Sequence, residues 1–408
     1  MRLAIIQNLY ENYINNFQSE YASQLNNYKS SLALLQHDSF SWSGCWGEHL
    51  REHGIEVVEL YVNFDTLNAQ WCQENDFIEN GTTLDVLIQQ LKVFKVDAVL
   101  NSDVNILRSP FIRRIKAETN VRYIYAHVCS PYFSYSDVSE YDGIFTCLHR
   151  FVEVFKSYGK PAVYLPHCFN SKIIERIELN KAYQKINKVF FAGGVIKGGE
   201  WHDDREKLLL DFISNRIPMS FFSEIANFNY IKGYATAIGK SSLFYLIKTL
   251  RAAGVSDPLM NRVPLVKKGL PWKSVPDNSV NRTLFNYSNK PIYGLEFFSA
   301  MENHAIALNN HGAVTKDEAA NMRLFESTGV GAALITDYKS NMSDFFDIDK
   351  EVVTYKTIAE AKEKAMYLLN NPAVSNEIGK AGQKRVLKDH TFKNRAPILA
   401  SSILKNFT

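Results

Sequence analysis

Short apolar segments alternate with longer amphipathic segments along most of the chain. In the first third, residues 3–6, 55–62 and 97–100 are apolar segments of strand length. The first of them ends at polar Gln7, and the helical pattern before the second ends at Gly54. An order of strand, helix and strand is typical of a parallel sheet covered by helices. The pattern therefore predicts an α/β protein.

The same alternation continues to the end of the chain and defines the remaining elements. Further strands are predicted at residues 121–126, 142–146, 162–165, 188–192, 219–222, 306–308, 332–335 and 351–355. Helices are predicted at residues 42–53, 84–94, 110–118, 150–158, 203–213, 241–253, 294–301, 358–369 and 375–387, with a last helix after Pro397.

Length and one polar stretch suggest how the chain divides. Its 408 residues exceed what a single core usually supports. Residues 169–187 are polar and charged without apolar alternation, so we predict a linker there. The expected domains are then 1–168 and 188–395, followed by a C-terminal helix over 396–408 that packs back on the N-terminal domain. Ligands of paired domains usually bind in the cleft between them.

Charge and cysteine content exclude several classes of protein. A net charge of +3 gives no basis for a nucleic-acid partner, which would need a concentrated basic face. The five cysteines include no CxxC pair, so we expect free thiols in a reducing compartment rather than disulfides or a metal site. No apolar stretch approaches the length of a transmembrane segment, and the short apolar start is expected to be a strand rather than a leader. A cytoplasmic protein is expected.

Residues 309–336 carry the strongest candidate chemistry. A histidine-glycine turn precedes a helix, and the helix ends at a glycine-containing stop before an apolar strand. A carboxylate on that helix, beside an arginine, suits a ligand with both a polyol and phosphates. An ordinary αβ unit, in which glycine only ends a helix, explains the same spacing. The candidates in this stretch are Asn309, His311, Gly312, Asn321, Arg323, Glu326, Thr328 and Gly329.

A second glycine-containing turn follows the strand at residues 188–192. Gly193 and Gly194 come directly after it, and a helix begins about ten residues later. Backbone N–H groups and the positive end of the helix would both face this loop, which is an arrangement that binds phosphate. A plain strand-to-helix turn fits the same pattern. The charged residues of the loop and of the helix start are Lys197, His202 and Arg205.

Several motifs occur in the order found in one family of enzymes. They are FFAGG (190–194), HDDR (202–205), LNNHG (308–312), NMRLFESTGVGAALITDY (321–338), EVVTYKT (351–357) and AGQKRVLKDHTF (381–392). Through them the C-terminal half resembles the nucleotide-binding domain of GT-B glycosyltransferases, families 1 and 4, in the branch related to CgeB-type spore-maturation proteins. The N-terminal half resembles the same branch more loosely, through FSWSGCWGEHLREHG (40–54) and the segments around YDGIFTC and YLPHCFN (141–170).

The resemblance implies two Rossmann-like, doubly wound domains that face a central cleft. The N-terminal domain would hold the acceptor and the C-terminal domain the nucleotide sugar. Glu326 would bind the ribose, since a carboxylate accepts hydrogen bonds from two vicinal hydroxyls. The glycine turns, with Arg323, Arg205 and Lys197, would bind the diphosphate. No metal and no cofactor are expected, because the nucleotide sugar is a co-substrate and these donors would stabilise the leaving group.

Two histidines compete for a catalytic role beside Arg323. His127 ends a predicted strand of the first domain, and His311 lies in the turn of the second. A lone histidine is more often structural, and without an identified carboxylate partner neither one is assigned as a general base. Glu318 and Glu326 also have the spacing of the two glutamates of many retaining transferases, but the CgeB-type branch does not depend on the first one. Glu318 is therefore expected on a helix surface.

The expected function is transfer of a sugar from a nucleoside-diphosphate sugar to a glycan or lipid-linked acceptor, with retention and without metal, in the synthesis of a surface or secreted glycan. The enzyme would be cytoplasmic and peripheral to the inner face of the membrane. One alternative is a sugar-nucleotide epimerase, which would need an acid/base pair. Another is a non-catalytic structural or binding protein of a spore coat or surface assembly.

Overall fold

The computed structural model describes every residue except 78–81, 131–133, 179–183, 196–202, 273, 276–279, 313–314 and 407–408. The strands are β1 (Arg2–Gln7), β2 (Glu56–Tyr61), β3 (Ala98–Asn101), β4 (Tyr123–His127), β5 (Gly143–Thr146), β6 (Ala162–Tyr164), β7 (Ile186–Ala192), β8 (Met219–Phe222), β9 (His304–Leu308), β10 (Ala333–Asp337) and β11 (Val353–Tyr355). Each strand overlaps one predicted from the sequence.

Helices alternate with the strands. Those up to β7 are α1 (Glu11–Glu20), α2 (Tyr28–Asp38), α3 (Gly47–Arg51), α4 (Asp65–Glu74), α5 (Thr83–Val93), α6 (Ser109–Glu118), α7 (Tyr135–Val138), α8 (His149–Ser157) and α9 (Lys172–Ile177). Those after β7 are α10 (Asp203–Ser214), α11 (Tyr230–Ala252), α12 (Asp257–Met260), α13 (Pro264–Gly269), α14 (Arg282–Tyr287), α15 (Gly294–Glu302), α16 (Met322–Gly329), α17 (Ile358–Asn370), α18 (Pro372–Asp389) and α19 (Phe392–Leu404).

The first sheet has six parallel strands in the order β2-β1-β3-β4-β5-β6. The chain adds β2 on one side of β1 and then crosses to add β3 on the other side. Such a reversal beside the first strand marks the switch point where doubly wound sheets place ligands, at the carboxyl ends of the strands. Gln7, Asn101 and His127 end β1, β3 and β4 at this edge.

A second parallel sheet contains the remaining strands. In it, β10 pairs with β9 on one side and with β11 on the other, with Ile335 opposite both Leu308 and Val353. β7 and β8 pair with each other, with Phe191 opposite Phe221. Two parallel α/β sheets of this kind confirm the predicted fold class.

The chain forms two compact units. The first comprises residues 1–187, 293–311 and 315–408, and the second comprises residues 188–292 and 312–314. The predicted domain boundaries at residues 168, 187 and 395 stay a prediction.

The six-stranded sheet is apolar on both faces, which explains its continuous apolar strands. Alternate residues of β1 face opposite cores: Ala4 and Ile6 face one, and Leu3 and Ile5 face the other. The core containing Leu3 also receives the buried face of α19. The C-terminal helix therefore packs on the first sheet.

Three predicted helices begin at other residues than expected. The helix at 42–53 shortens to α3 because Ser41 and Gly44 have positive φ angles of 58° and 71°. The helix at 241–253 begins eleven residues earlier, where the Asn229 side chain caps it by accepting from Lys232 N at 3.0 Å. The last helix begins at Phe392 rather than after Pro397, because a capping box at Thr391 starts it.

The expectation of five free thiols is wrong for one pair. Cys129 and Cys147 form a disulfide, with their Cα atoms 5.4 Å apart. The residues lie just beyond the neighbouring strands β4 and β5, where His127 pairs with Phe145, so the sheet register brings their side chains together. Cys45, Cys72 and Cys168 are buried free thiols.

Within the described ranges, none of the helices combines the length and the apolar content that crossing a bilayer requires.

Candidate functional site

Helix α16 presents a carboxylate and a guanidinium on one face. Its first turn is capped by Asn321, whose side chain accepts from Leu324 N at 3.2 Å. Arg323 and Glu326 lie three residues apart, and Arg323 Nη1 donates to Glu326 Oε2 at 2.9 Å. The guanidinium also lies over the ring of Phe297, with Cζ 4.1 Å from the ring centroid. Both charged side chains are half-buried, so their orientation is fixed and a ligand can still contact them.

A pair of amides joins this helix to the carboxyl end of β9. Asn321 Nδ2 donates to Asn309 Oδ1 at 2.8 Å, and Asn309 Nδ2 returns a bond to Asn321 Oδ1 at 3.3 Å. Asn309 Nδ2 also donates to Thr336 Oγ1 at 2.9 Å, and the Tyr355 hydroxyl donates to the Asn309 carbonyl at 3.0 Å. Asn309 is buried, so this network fixes the turn that follows β9 against the start of α16.

The turn places His311 against a carboxylate that ends β10. Asp337 Oδ1 accepts from the His311 backbone N–H at 2.7 Å and lies 2.8 Å from His311 Nδ1. Lys339 Nζ lies 3.2 Å from the other oxygen, Asp337 Oδ2. The sequence analysis did not identify Asp337 or Lys339. Their position directly after a buried strand was the signal that could have found them.

Hydrogen bonding and charge set the ionisation of Asp337. Burial raises its pKa, but the hydrogen bond and charge of His311 and the charge of Lys339 outweigh burial and lower the pKa to about 2. The ionised carboxylate can only accept, so His311 Nδ1 carries the proton. His311 Nε2 is buried and has no hydrogen-bond partner among the described residues. This nitrogen is therefore the one that can contact a ligand.

We expect Asp337 to stabilise the fold above about pH 4. Its folded pKa of about 2 lies below the ordinary value of 3.8, so the stabilisation is complete above the unfolded pKa and is lost as the pH falls through 2. The shift corresponds to about 2 kcal/mol. Urea unfolding at pH 7 should show about that loss for Asp337→Asn, and the difference should shrink toward pH 2. The exposed Asp317→Asn is the control, and an equal loss at both pH values would contradict the account.

A family profile and solved structures bear on what this arrangement does. A family described as glycosyl transferase-like matches residues 250–401, which include α16, His311 and Asp337. A sequence search of curated proteins finds no match. In structure, the chain is similar to a sucrose-phosphate synthase from Thermosynechococcus elongatus, with a TM-score of 0.53 and 10% identity over 100% of this chain and 99% of that one. It is also similar to HepE of Anabaena in complex with UDP-glucose, with a TM-score of 0.53 and 9% identity over 99% and 100%. A glycosyltransferase from Rickettsia africae gives a TM-score of 0.51 and 10% identity over 99% of each chain.

The chain has the fold of GT-B glycosyltransferases, and its residues 250–401 match a glycosyl transferase-like family. At this low identity the solved structures establish the fold alone, and the matched family covers less than half of the chain.

Two other predicted residues of the transferase lie at the C-terminal end of α16. Thr328 is fully buried and its hydroxyl donates to the Leu324 carbonyl at 2.6 Å. Gly329 is packed against the ring of Phe169, where a Cβ would lie 2.5 Å from the ring. The end of a helix also presents carbonyl groups, which do not attract a diphosphate. Both residues pack the helix end, and the proposed donor site leaves them out.

The tight contact at Gly329 gives a stability prediction. Gly329→Ala should lower the free energy of unfolding by about 1–3 kcal/mol, because the added methyl overpacks buried Phe169. The control is Gly239→Ala within α11, where nothing lies within 4 Å of the new Cβ. There the substitution should stabilise by up to about 1 kcal/mol through helix propensity. Urea unfolding measures both, and equal effects would contradict the packing argument.

The second compact unit contains the other predicted phosphate contacts. The Gly193 N–H donates to the Phe222 carbonyl at 3.1 Å, so this N–H continues the hydrogen bonding between β7 and β8. Arg205 Nη1 donates to the Gly194 carbonyl at 3.0 Å, which joins the start of α10 to the glycine turn. Gly312 belongs to the same unit and has a φ of 71°. Lys197 and His202 lie outside the described residues. The role of this turn in diphosphate binding stays a prediction.

His127 is buried at the end of β4. Its ring is 4.6 Å from that of Trp42 and 5.5 Å from that of His167. Burial, with the charge of His167 second, lowers the pKa of His127 to about 3, and burial lowers that of His167 to about 4. His127 Nε2 lies 3.4 Å from Cys129 Sγ, whereas His311 lies against a carboxylate. The geometry thus favours His311 as the oriented imidazole.

Glu318 holds the start of a helix in the N-terminal part of the chain. Its carboxylate accepts from His149 N at 2.5 Å and from Arg150 N at 3.2 Å, at the first turn of α8. A carboxylate at this position satisfies N–H groups that have no partner within the helix and interacts favourably with the helix dipole. Glu318 follows a turn rather than lying on a helix surface, as was expected. Both carboxylate oxygens of Glu318 therefore accept backbone hydrogen bonds at a helix start, which is a structural role that Glu326 does not have.

Proposed function

We propose that this glycosyltransferase belongs to the CgeB-type branch and transfers a sugar from a nucleoside-diphosphate donor to a glycan or lipid-linked acceptor. The observation that carries the proposal is the joined pair of groups on α16 and after β9. Glu326 is held by Arg323 on the helix, and His311 is held by Asp337 in the turn. The Asn309–Asn321 amide pair connects the two.

Glu326 suits the ribose of the donor. Arg323 donates to one of its oxygens and holds the carboxylate in place beside a permanent cation. A carboxylate has lone pairs for several donors, so two vicinal hydroxyls can bind while the Arg323 contact persists. Glu326 could therefore orient a bound nucleotide while its ion pair with Arg323 stays intact.

Arg323 and His311 suit the chemistry around the leaving group. As the bond to the sugar breaks, negative charge develops on the diphosphate, and a fixed cation in a half-buried site stabilises it more than it stabilises the neutral sugar. His311 Nε2 can hydrogen-bond the donor sugar, because Asp337 fixes the ring and the proton on Nδ1. Arg323 would then replace the metal ion that other transferases use.

Retention of configuration, independence of metal, and a role in surface or secreted glycan synthesis are further parts of the proposal, and the motif order of the CgeB-type branch supports them. We also propose a cytoplasmic location at the inner face of the membrane. Helix α11 supports this location, because it combines basic residues with exposed apolar residues.

Donor hydrolysis without acceptor tests the proposal. Release of nucleoside diphosphate would be measured with UDP-, GDP- and TDP-sugars, starting with UDP-glucose because the similar HepE structure binds it. We expect turnover of one donor, unchanged by EDTA, and a released sugar with the anomeric configuration of the donor. Conversion of the donor sugar with no release would favour the epimerase. Loss of activity in EDTA would show that a metal ion takes part in the reaction.

A further inference from the structure

The second compact unit contains a strongly basic segment. Residues 228–292 contain ten Lys and Arg residues against two acidic ones, a net charge of +8. The whole chain has a net charge of +3, so the remaining residues together are net negative. Such an asymmetry indicates an anionic partner for this segment rather than for the whole surface.

Helix α11 is the longest element of that segment and contains four basic residues and no acidic one. Its buried face, with Leu243 and Ile247, packs against Met260 and Val266 of the following helices. The close approach of Gly269, where a Cβ would lie 2.6 Å from Ile247, fixes α13 against this face. The buried face of α11 therefore packs entirely against helices of the second compact unit.

The opposite side of α11 exposes a stripe of large apolar residues, which we call the apolar stripe: Ile231, Tyr234, Ile238 and Tyr245. At about 100° per residue the four side chains fall within about 60° of the helix circumference, and they extend along roughly 20 Å of the axis. Ile231 is 85% exposed and Tyr234 is 73% exposed. A soluble protein seldom exposes large apolar residues in such an ordered row without a partner.

Exposed basic residues accompany the apolar stripe on α11 and on the neighbouring helix α13. Lys232 and Lys248 lie on the same helix, and Lys267 and Lys268 end α13, all four exposed. Among the described residues no carboxylate forms an ion pair with these lysines, whereas Arg251 binds Asp257 through two nitrogens at 2.8 and 2.9 Å. The uncompensated cations favour a surface of many negative charges over a single carboxylate.

We propose that the apolar stripe and its lysines dock the protein on an anionic lipid bilayer, with α11 lying parallel to the membrane plane. Tyrosine and isoleucine would enter the headgroup region, and the lysines would contact lipid phosphates. This inference rests on the proposed location of the enzyme at the membrane and is independent of the donor chemistry. Binding to the bilayer would give the enzyme access to a lipid-linked acceptor.

Vesicle flotation of the full chain tests the docking surface. The probes are phosphatidylcholine vesicles and phosphatidylcholine vesicles mixed with phosphatidylglycerol. We expect the protein to float with the anionic vesicles only, and less as salt is raised. Tyr234→Ser with Ile238→Asn should weaken binding by at least about tenfold, through lost apolar burial. Lys232→Gln and Lys248→Gln should each weaken it roughly fivefold.

The controls separate this proposal from its alternatives. Met366→Asn with Tyr367→Ser removes two exposed apolar residues of α17, and we expect unchanged flotation. All variants should keep the melting temperature and nucleotide affinity of the wild type, since the changed side chains are exposed. Absence of flotation, or equal flotation of wild type and the stripe variant, overturns the proposal. So does a dimer in light scattering that Tyr234→Ser with Ile238→Asn dissociates, because a second copy then covers the stripe. Flotation without donor turnover would contradict only the proposed function.

Discussion

Replacement of Glu326 with alanine should weaken nucleoside-diphosphate binding on the order of 100-fold. The carboxylate would accept two hydrogen bonds from the ribose, and hydrogen bonds to charged groups contribute about 1.5–3 kcal/mol. Removal also deletes the ion pair between Glu326 and Arg323, whose Nη1–Oε2 distance is 2.9 Å. Calorimetric titration of both proteins with the preferred nucleoside diphosphate measures the effect.

Glu318→Ala is the matched control for Glu326. It removes a glutamate eight positions earlier, but one whose oxygens cap the first turn of α8. We expect a loss of about 1 kcal/mol in the free energy of unfolding, as for other caps, and no change in nucleotide affinity. Weaker nucleotide binding in the Glu318 variant with normal binding in the Glu326 variant would reverse the assignment.

Replacement of His311 with alanine should lower donor turnover on the order of 100-fold or more, with the affinity for nucleoside diphosphate nearly unchanged. The imidazole would act on the sugar and not on the nucleotide, so its loss should appear in kcat rather than in binding. Asp337→Asn should lower kcat in the same direction, because an amide no longer enforces the proton on His311 Nδ1. Initial rates of nucleoside-diphosphate release measure both.

His304 is a second buried histidine near His311 in the sequence and provides the control. It begins β9, and its Nδ1 lies 2.6 Å from the Ala300 carbonyl. His304→Gln should alter the melting temperature but leave kcat unchanged. If His311→Ala turned over donor at the wild-type rate while His127→Ala did not, the catalytic imidazole would be the one that ends β4.

The fold followed from the sequence because parallel strands buried on both faces are continuous apolar runs. β1 and β3 illustrate this, because the polar residues Gln7 and Asn101 end them. Helix ends were harder, because local turns such as that at Gly44 depend on backbone angles that periodicity does not report. The start of α11 likewise depends on a single side-chain cap at Asn229.

The site was predicted only in part. Glu326 and Arg323 could be found because three-residue spacing places them on one helix face. Asp337 could not be paired with His311 from the sequence, because the contact joins the ends of two strands 26 residues apart. Thr328 was predicted because a polar residue beside glycine suggests a ligand loop, and the packing of the helix that buries its side chain could not be predicted. The Asp337–His311 contact and the burial of Thr328 both depend on long-range packing, which the spacing of residues in the sequence does not show.

Calorimetric titration of the wild-type chain with UDP-, GDP- and TDP-sugars tests the central claim most directly, because it asks only whether the site holds an activated sugar. We predict saturable heat with one stoichiometric site for at least one of these donors, and the loss of that heat in Glu326→Ala but not in Glu318→Ala. No heat from any of the donors, with the protein folded and at concentrations well above micromolar, would contradict the assignment of a nucleotide-sugar site to α16.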